Sequence, residues 1–381
     1  MASKIKAVFA RGGTSKAVVF NKADLPKDRR EWDHIFLSVL GSPDPYGRQL
    51  DGMGGGISSL SKVVIVEPSM REDADIDYTF VQIAVGEPVA DYGAMCGNMA
   101  SCVGPFAVEE KIVPCEDGLV SLRIHNTNTS KTFSAHFEVR DGNVIEEGDF
   151  TIPGVTGSGA EIRLDFHDPG GAKTGKLLPT GNAKDTLEVA GMGSVEASMV
   201  DASNPVVFVK ASDLGADCRA LPQVLDADTI LMDKLERIRK AASVAMGISN
   251  TEEDALLSNP KVAIVSQPED FTALDGSGQH AQDFDVAVRL VSMGNFHRAI
   301  TLTGAMCVAV AAKVNGTLLA DIAGNTDQLR IGNPSGILPV SALVSENEGK
   351  PYAVSATTYR TQRRLMEGHV LVPQTKLVEC A

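Results

Sequence analysis

The sequence predicts an α+β fold in two halves of one design. Three observations lead there. Short stretches of alternating apolar and polar residues dominate both halves, and one solid helical pattern comes late in each set. No βαβ alternation carries a Gly-x-Gly-x-x-Gly turn, which argues against a dinucleotide-binding sheet. In the first half the spacing predicts strands at residues 7–9, 17–20, 62–66 and 79–85. A helix then follows over residues 99–108, where Asn98 is a good N-cap and Glu109-Glu110-Lys111 ends the apolar period. Strands resume at residues 119–125 and 132–140, and Asp141-Gly142-Asn143 supplies a turn before Val144. Residues 170–193 are dense in glycine and poor in large apolar side chains, so a boundary or crossing loop belongs there. The second half repeats the plan with strands over residues 198–210, an amphipathic helix over 229–246, strands at 262–267 and 285–293, and a helix from Gly304.

Bulk composition sets the class. A chain of 381 residues with 43% hydrophobic content buries a large core and divides more naturally into two domains than one. A formal charge of -14, with Lys and Arg never running beyond adjacent pairs, argues against nucleic acid as a partner. A small polyanionic substrate must therefore be held by local groups. Six cysteines without metal-type spacing, and no cleavable apolar N-terminus, point to a reducing cytoplasm. No metal site is expected, since no His-x-x-x-His or Cys-x-x-Cys pair occurs. The longest apolar stretches, such as residues 305–312, fall short of the roughly 20 needed to span a bilayer, so no membrane segment is expected.

The most informative stretch is Met95-Cys96-Gly97-Asn98-Met99-Ala100-Ser101-Cys102. It places a thiol at the mouth of a helix, where unpaired amides and the positive dipole end favour a thiolate or a bound carboxylate. A small buried apolar cysteine would give the same spacing. The tetrapeptide Gly-Ala-Met-Cys occurs at 93–96 and again at 304–307. A shared tetrapeptide is expected roughly once by chance in a chain this long, so Cys307 is not assigned as a second catalytic thiol.

Met-Cys-Gly-Asn with a second Cys shortly after it resembles the first active-site motif of the diaminopimelate epimerase superfamily. Arg11-Gly12-Gly13-Thr14-Ser15-Lys16, the run from Gly41 through Arg48 to Gly56, and Ser58-Ser59-Leu60-Ser61-Lys62 resemble its PrpF-like branch, the aconitate and methylitaconate isomerases. Similar patterns continue through His125-Asn126-Thr127-Asn128-Thr129, Gly175 to Asn182, Asn204-Pro205, Thr303-Gly304-Ala305 and Gly332-Asn333-Pro334-Ser335-Gly336, so the resemblance covers nearly the whole chain. Asn333 is a local departure, because the family more often has His there. The implied fold is diaminopimelate epimerase-like, with two pseudo-symmetric domains, each a curved, largely antiparallel sheet around a central helix, and an active site between them. The expected domains are residues 1–183, joined by 362–381, and residues 184–361.

The resemblance also separates this chain from the racemases. In a gapless register over residues 289–304, the epimerase's second catalytic cysteine falls on Thr301, and its amino-acid-binding Glu-Arg pair falls on Ser292 and Met293. A threonine hydroxyl cannot serve as a thiol acid or base. On the family analogy Lys62 is the second proton-transfer group, closing a loop over residues 54–61 whose amides and the Ser58 and Ser59 hydroxyls can wrap an anion. From spacing alone, Lys62 reads more readily as an exposed charge starting a strand.

The chemistry implied is a 1,3-proton shift that moves a carbon–carbon double bond in a small di- or tricarboxylate, through a dienolate stabilised by amides and hydroxyls, with no cofactor. The expected catalytic pair is Lys62 and Cys96, the order of removal and return being open. Lys62 can be the base only when neutral, which calls for water exclusion and a cation on the substrate carboxylates. Lys16, Arg48, Arg289 and Arg298 are the candidates for that cation, with Lys16 and Arg298 preferred. The expected substrate-binding residues are Thr14, Ser15, Lys16, Ser58, Ser59, Gly97, Asn98, Asn204, His297, Arg298, Thr303, Gly304, Ala305 and Ser335. His297 is a third acid–base candidate. 2-Methylaconitate or aconitate comes first as substrate, with 3-methylitaconate and 4-oxalomesaconate as alternatives, and the family allows a homodimer. Two other readings stand beside this one: an amino- or hydroxy-acid epimerase using Cys307 opposite Cys96, and a noncatalytic carboxylate-binding partner of an aconitase-type enzyme.

Overall fold

The computed structural model describes residues 3–93, 95–257, 259–292, 294–324 and 326–373. The chain separates into two compact units, Met1–Asp165 with Tyr359–Ala381, and Phe166–Thr358.

In the first unit the ladder runs Gln362–Val372, Ser3–Gly12, Ser15–Asn21, Lys62–Pro68, Ile76–Ile83, Gly118–Asn126, Lys131–Arg140. Successive neighbours pair antiparallel, antiparallel, parallel, antiparallel, parallel, antiparallel. A parallel neighbour requires a crossover, and each of the two parallel steps is bridged by a helix, Trp32–Leu40 in the first and Gly97–Glu109 in the second. Alternation along the strands sends Val18, Phe20, Val63, Ile65, Val81 and Ile83 to one face, where they pack with Trp32, Phe36 and Leu40. The intervening positions, Lys62, Tyr78, Phe80 and Gln82 among them, take the opposite face. The helix Gly97–Glu109 is apolar on all sides, and Met99 through Val108 are buried, as a helix enclosed by a curved sheet must be. Gly104 lets Phe137 approach, since a Cβ there would lie 2.6 Å from its ring.

The second unit repeats this order. Its ladder runs Asp185–Val189, Gly193–Ala202, Asn204–Lys210, Lys261–Ser266, Val286–Ser292, Leu329–Asn333, Gly336–Asn347. The pairings are again antiparallel, antiparallel, parallel, antiparallel, parallel, antiparallel. Helix Thr229–Ala245 bridges the first parallel step and Leu302–Lys313 the second. The former buries Leu231, Leu235, Ile238 and Ala242, one face at helical spacing, and starts on the Asp228 carboxylate, which accepts from the Ile230 and Leu231 amides.

Two expectations shift. The glycine-rich stretch at 170–193 is not the boundary, which falls at 165/166 instead of 183/184, with the return at 358/359 instead of 361/362. The stretch is tied into the second unit by Asp201, whose carboxylate accepts from the Lys173 and Thr174 amides at 2.8 and 2.6 Å. The first central helix begins at Gly97 with Cys96 as its N-cap residue, two positions earlier than expected. Met293, onto which part of the epimerase pair maps, lies outside the described residues. Among the described residues no helix is long and apolar enough to cross a membrane.

Candidate active site

The first-unit motifs converge on the start of helix Gly97–Glu109. Gly12 lies so close to it that a Cβ would sit 2.7 Å from the Asn98 carbonyl oxygen. Gly13, at φ +51°, leaves no room either, because a Cβ would meet Asn98 Oδ1 at 2.4 Å. These two glycines let the Arg11–Lys16 turn seat on the helix end. Asn98 donates from Nδ2 to Thr14 Oγ1 at 3.0 Å and accepts at Oδ1 from Arg360 Nε at 3.1 Å. Its side chain is thereby drawn away from capping. Cys96 takes the N-cap place with extended backbone (φ -104°, ψ 104°) and makes no side-chain cap hydrogen bond, so its thiol, partly exposed, is left free of that duty. Tyr78, fully buried, donates from its hydroxyl to the Cys96 carbonyl at 3.1 Å.

Arg360 stands beside this thiol. It is 6% exposed, and burial pulls its guanidinium down to about 10, opposed by its electrostatic interaction with nearby Cys96. Nη1 also donates to the Tyr359 carbonyl at 2.7 Å. A fixed cation thus sits at the same helix mouth as the thiol.

Lys62 opens its strand and is buried, not an exposed charge. Its Nζ donates to Gln82 Oε1 at 2.5 Å and lies 5.0 Å from the Phe80 ring centroid. Gln82 is the cross-strand partner of Lys62, and its own amide donates to the Ser58 and Ser61 carbonyls, which turns Oε1 toward the lysine. Tyr78, Phe80 and Gln82 share one face of strand Ile76–Ile83. Tyr78 holds the Cys96 backbone and the other two hold the Lys62 side chain, so both residues are brought to the same face of one strand.

In the second unit, Thr301 is the N-cap of helix Leu302–Lys313. Its Oγ1 accepts from the Gly304 amide at 3.1 Å and its carbonyl from the Ala305 amide at 2.8 Å. By strand order Thr301 stands where Cys96 stands in the first unit, and its hydroxyl is engaged in capping. His297 accepts at Nδ1 from the Ala299 amide at 3.1 Å, which leaves the ring proton on Nε2, and burial holds the ring below its ordinary pKa. Ser335 Oγ donates to the Arg298 carbonyl at 2.7 Å. Thr303 is partly exposed at the helix start, and Asn204 Nδ2 is buried with no partner.

The family model described as PrpF protein matches residues 2–373. The chain belongs to the PrpF family. The 2-methyl-aconitate isomerase of Cupriavidus necator is 40% identical over 385 residues, 97% of this chain and 97% of that protein. The 3-methylitaconate isomerase of Eubacterium barkeri is 38% identical over 382 residues, 98% of this chain and 99% of that protein. A solved methylitaconate-delta-isomerase is similar at TM-score 0.91 and 38% identity, over 100% of this chain and 98% of that one. A probable proline racemase of Agrobacterium radiobacter, 13% identical at TM-score 0.51 over 97% and 93% of the two chains, shares the fold alone. The fold is diaminopimelate epimerase-like.

Several expected roles are absent from the geometry of this PrpF-family chain. Lys16 is on the sheet face opposite Lys62 and Cys96, with Nζ 5.5 Å from the Phe9 ring centroid. Arg298 is exposed and donates to Gln223, while Arg48 is exposed on a loop. Arg289 is 1% exposed and donates to the Val288 and Gly332 carbonyls, which makes it a structural link. The Gly304 and Ala305 amides are occupied by Thr301 and are not open to a ligand. The glycines at 52–56 are needed for packing: a Cβ at Gly52 would lie 2.1 Å from the Gly41 nitrogen. Gln49 organises that loop, donating to Ser42 and Ser61 Oγ and accepting from the Gly56 amide. The Gly54 amide goes to the Leu40 carbonyl, so neither glycine amide is free for an anion. Ser58 and Ser59 stay accessible, whereas Ser15 is buried.

Neither Cys102 nor Cys307 gives a second acid. Cys102 is buried and donates to the Met99 carbonyl, and burial pushes it up to about 12. Cys307 is fully buried, donates to the Val200 carbonyl at 3.4 Å and is likewise pushed up. Sequence reasoning missed Arg360, Gln82 and Tyr78. Gln82 was within reach, since pairing the strands predicted at 62–66 and 79–85 sets it opposite Lys62. Arg360 has no spacing signal, because only the return of the chain end to the first unit brings it to Cys96.

Proposed function

We propose that this chain is an isomerase that moves a carbon–carbon double bond by a 1,3-proton shift in a small unsaturated di- or tricarboxylate. The named activities of its full-length relatives support this reading. 2-Methylaconitate or aconitate is the first candidate, and 3-methylitaconate and 4-oxalomesaconate follow. The reading needs no cofactor, places the enzyme in the cytoplasm, and is compatible with a homodimer.

The observation that carries it is the placing of Lys62 and Cys96 on one face of strand Ile76–Ile83, each held by a different residue of that strand. One of the pair takes a proton from the carbon beside a carboxylate, and the other returns a proton two carbons away. Gln82 aims the Lys62 nitrogen, and the Phe80 ring covers it from water. Charge developing in the dienolate is met at the helix mouth by the Gly97 and Asn98 amides, which lack intrahelical acceptors, and by Arg360. Arg360 replaces Lys16 and Arg298 as the cation proposed for this task. Thr14, Ser58 and Ser59 supply accessible hydroxyls. Full burial of Cys307 disfavours a two-thiol epimerase.

Incubation of the protein with cis-aconitate, 2-methylaconitate, 3-methylitaconate and 4-oxalomesaconate, each followed by proton NMR, tests the reading. Migration of the double bond in one of them is the expected result. Absence of reaction in all four, with tight carboxylate binding retained, would instead favour the noncatalytic partner.

A further inference from the structure

Lys261 occupies in the second unit the place that Lys62 occupies in the first. Each is the first residue of the strand entered after the first crossover helix, Trp32–Leu40 in one unit and Thr229–Ala245 in the other. Each reaches the side chain opposite it on the antiparallel neighbour: Lys62 Nζ to Gln82 Oε1 at 2.5 Å, Lys261 Nζ to Ser292 Oγ at 2.9 Å. The ladder pairs Val262 with Val291, which sets Lys261 and Ser292 on the next rung.

We propose that Lys261, with Ser292 and His297, forms a site on the second unit that binds a carboxylate of a small polycarboxylate. This rests on the isomerase reading above. Lys261 is half-buried, and among the described residues no carboxylate pairs with it. A half-buried ammonium without a counter-ion is costly to hold, and a ligand carboxylate removes that cost. Burial lowers the Lys261 pKa, as expected of a site waiting for an anion. The His297 amide donates to the Leu290 carbonyl at 2.8 Å, next to the Val291–Phe296 rung, so His297 stands on the same strand pair as Ser292 and within reach of the Lys261 charge. The neutral His297 ring has Nε2–H left as a donor, since Nδ1 accepts from the Ala299 amide. An ammonium, an imidazole N–H and a hydroxyl can together hold a carboxylate, and none of them offers a negative charge to an amino group. This arrangement selects polycarboxylates over zwitterionic amino acids.

The test uses tricarballylate, a saturated tricarboxylate that has no double bond to move, in calorimetric titrations of the wild-type protein and of Lys261→Ala and Lys261→Arg. Loss of a charge-assisted hydrogen bond should weaken binding roughly 10- to 100-fold in Lys261→Ala, with Lys261→Arg restoring most of it. Ser292→Ala, a smaller change, should weaken binding severalfold and keeps the test valid if Lys261→Ala fails to fold. Unchanged tricarballylate affinity in a folded Lys261→Ala, with wild-type isomerisation intact, would overturn the site and leave the isomerase reading standing. Weakened tricarballylate binding in a wild-type background that isomerises nothing would keep the site and overturn the isomerase reading.

Discussion

Gln82 decides where the Lys62 nitrogen points. Its amide is clamped between two carbonyls, so its oxygen has one direction left, and the lysine follows it. Gln82→Ala should therefore lower kcat about tenfold with little effect on KM, whereas Lys62→Ala removes the proton-transfer group and should cost about 10²- to 10⁴-fold; steady-state kinetics on the identified substrate checks both. Arg360 fixes Asn98 and sits beside Cys96. Arg360→Met should lower kcat/KM roughly 100-fold or more, as loss of one charge-stabilising donor does elsewhere. Asn98, Lys62 and Cys96 were legible in the sequence because they lie in local motifs. Arg360 was not, since Asn98 and Cys96 lie more than 250 positions away from it and only strand pairing joins them. Lys16 misled for the complementary reason: it lies inside a motif, yet alternation along its strand turns it to the other face.

At the level of elements, the two central helices begin in different ways, and the difference carries chemistry. Helix Leu302–Lys313 is capped by the Thr301 hydroxyl, so its start is closed, while helix Gly97–Glu109 has no side-chain cap and its start is open. Thr301→Ala should destabilise the protein by about 1 kcal/mol, measured by urea unfolding, and Asp228→Ala at the head of Thr229–Ala245 by a similar amount. Gly13→Ala, by contrast, forces a side chain into the left-handed region and against Asn98, and should reduce both stability and activity. His297 belongs to the segment between strand and helix. Burial lowers its pKa, so below about pH 6.5 the unfolded chain binds a proton that the folded chain resists. Its contribution to stability is complete above that pH and is lost as pH falls through the lower folded value. His297→Gln should flatten the dependence of the urea midpoint in that window. Both amphipathic and apolar helices were legible from periodicity. The first helix start was displaced by two residues because Asn98, the better cap by residue type, is engaged by Thr14 and Arg360.

On the scale of the molecule, one order of strand pairing is used twice, and the pairing shows why Lys62 and Lys261, or Cys96 and Thr301, are equivalent places. The plan itself was readable from alternating strands with a late helix in each half. The boundary was not, because glycine content marks a loop without saying which unit its backbone hydrogen bonds join. The chain end completes the first unit, where strand Gln362–Val372 pairs with Ser3–Gly12 and Arg364 binds Glu109 and Glu110. Arg364→Ala should shift the unfolding of the first unit by about 1–3 kcal/mol, read by the fluorescence of Trp32, the single tryptophan of the chain. The central claim is that Lys62 and Cys96 exchange a substrate proton across one face of the first unit. Proton NMR of the reaction in D₂O, comparing wild type with Lys62→Ala and Cys96→Ala, tests it most directly. The account predicts double-bond migration with deuterium entering the carbon skeleton in the wild type, and loss of migration in both variants. Unaltered migration in either variant would contradict it.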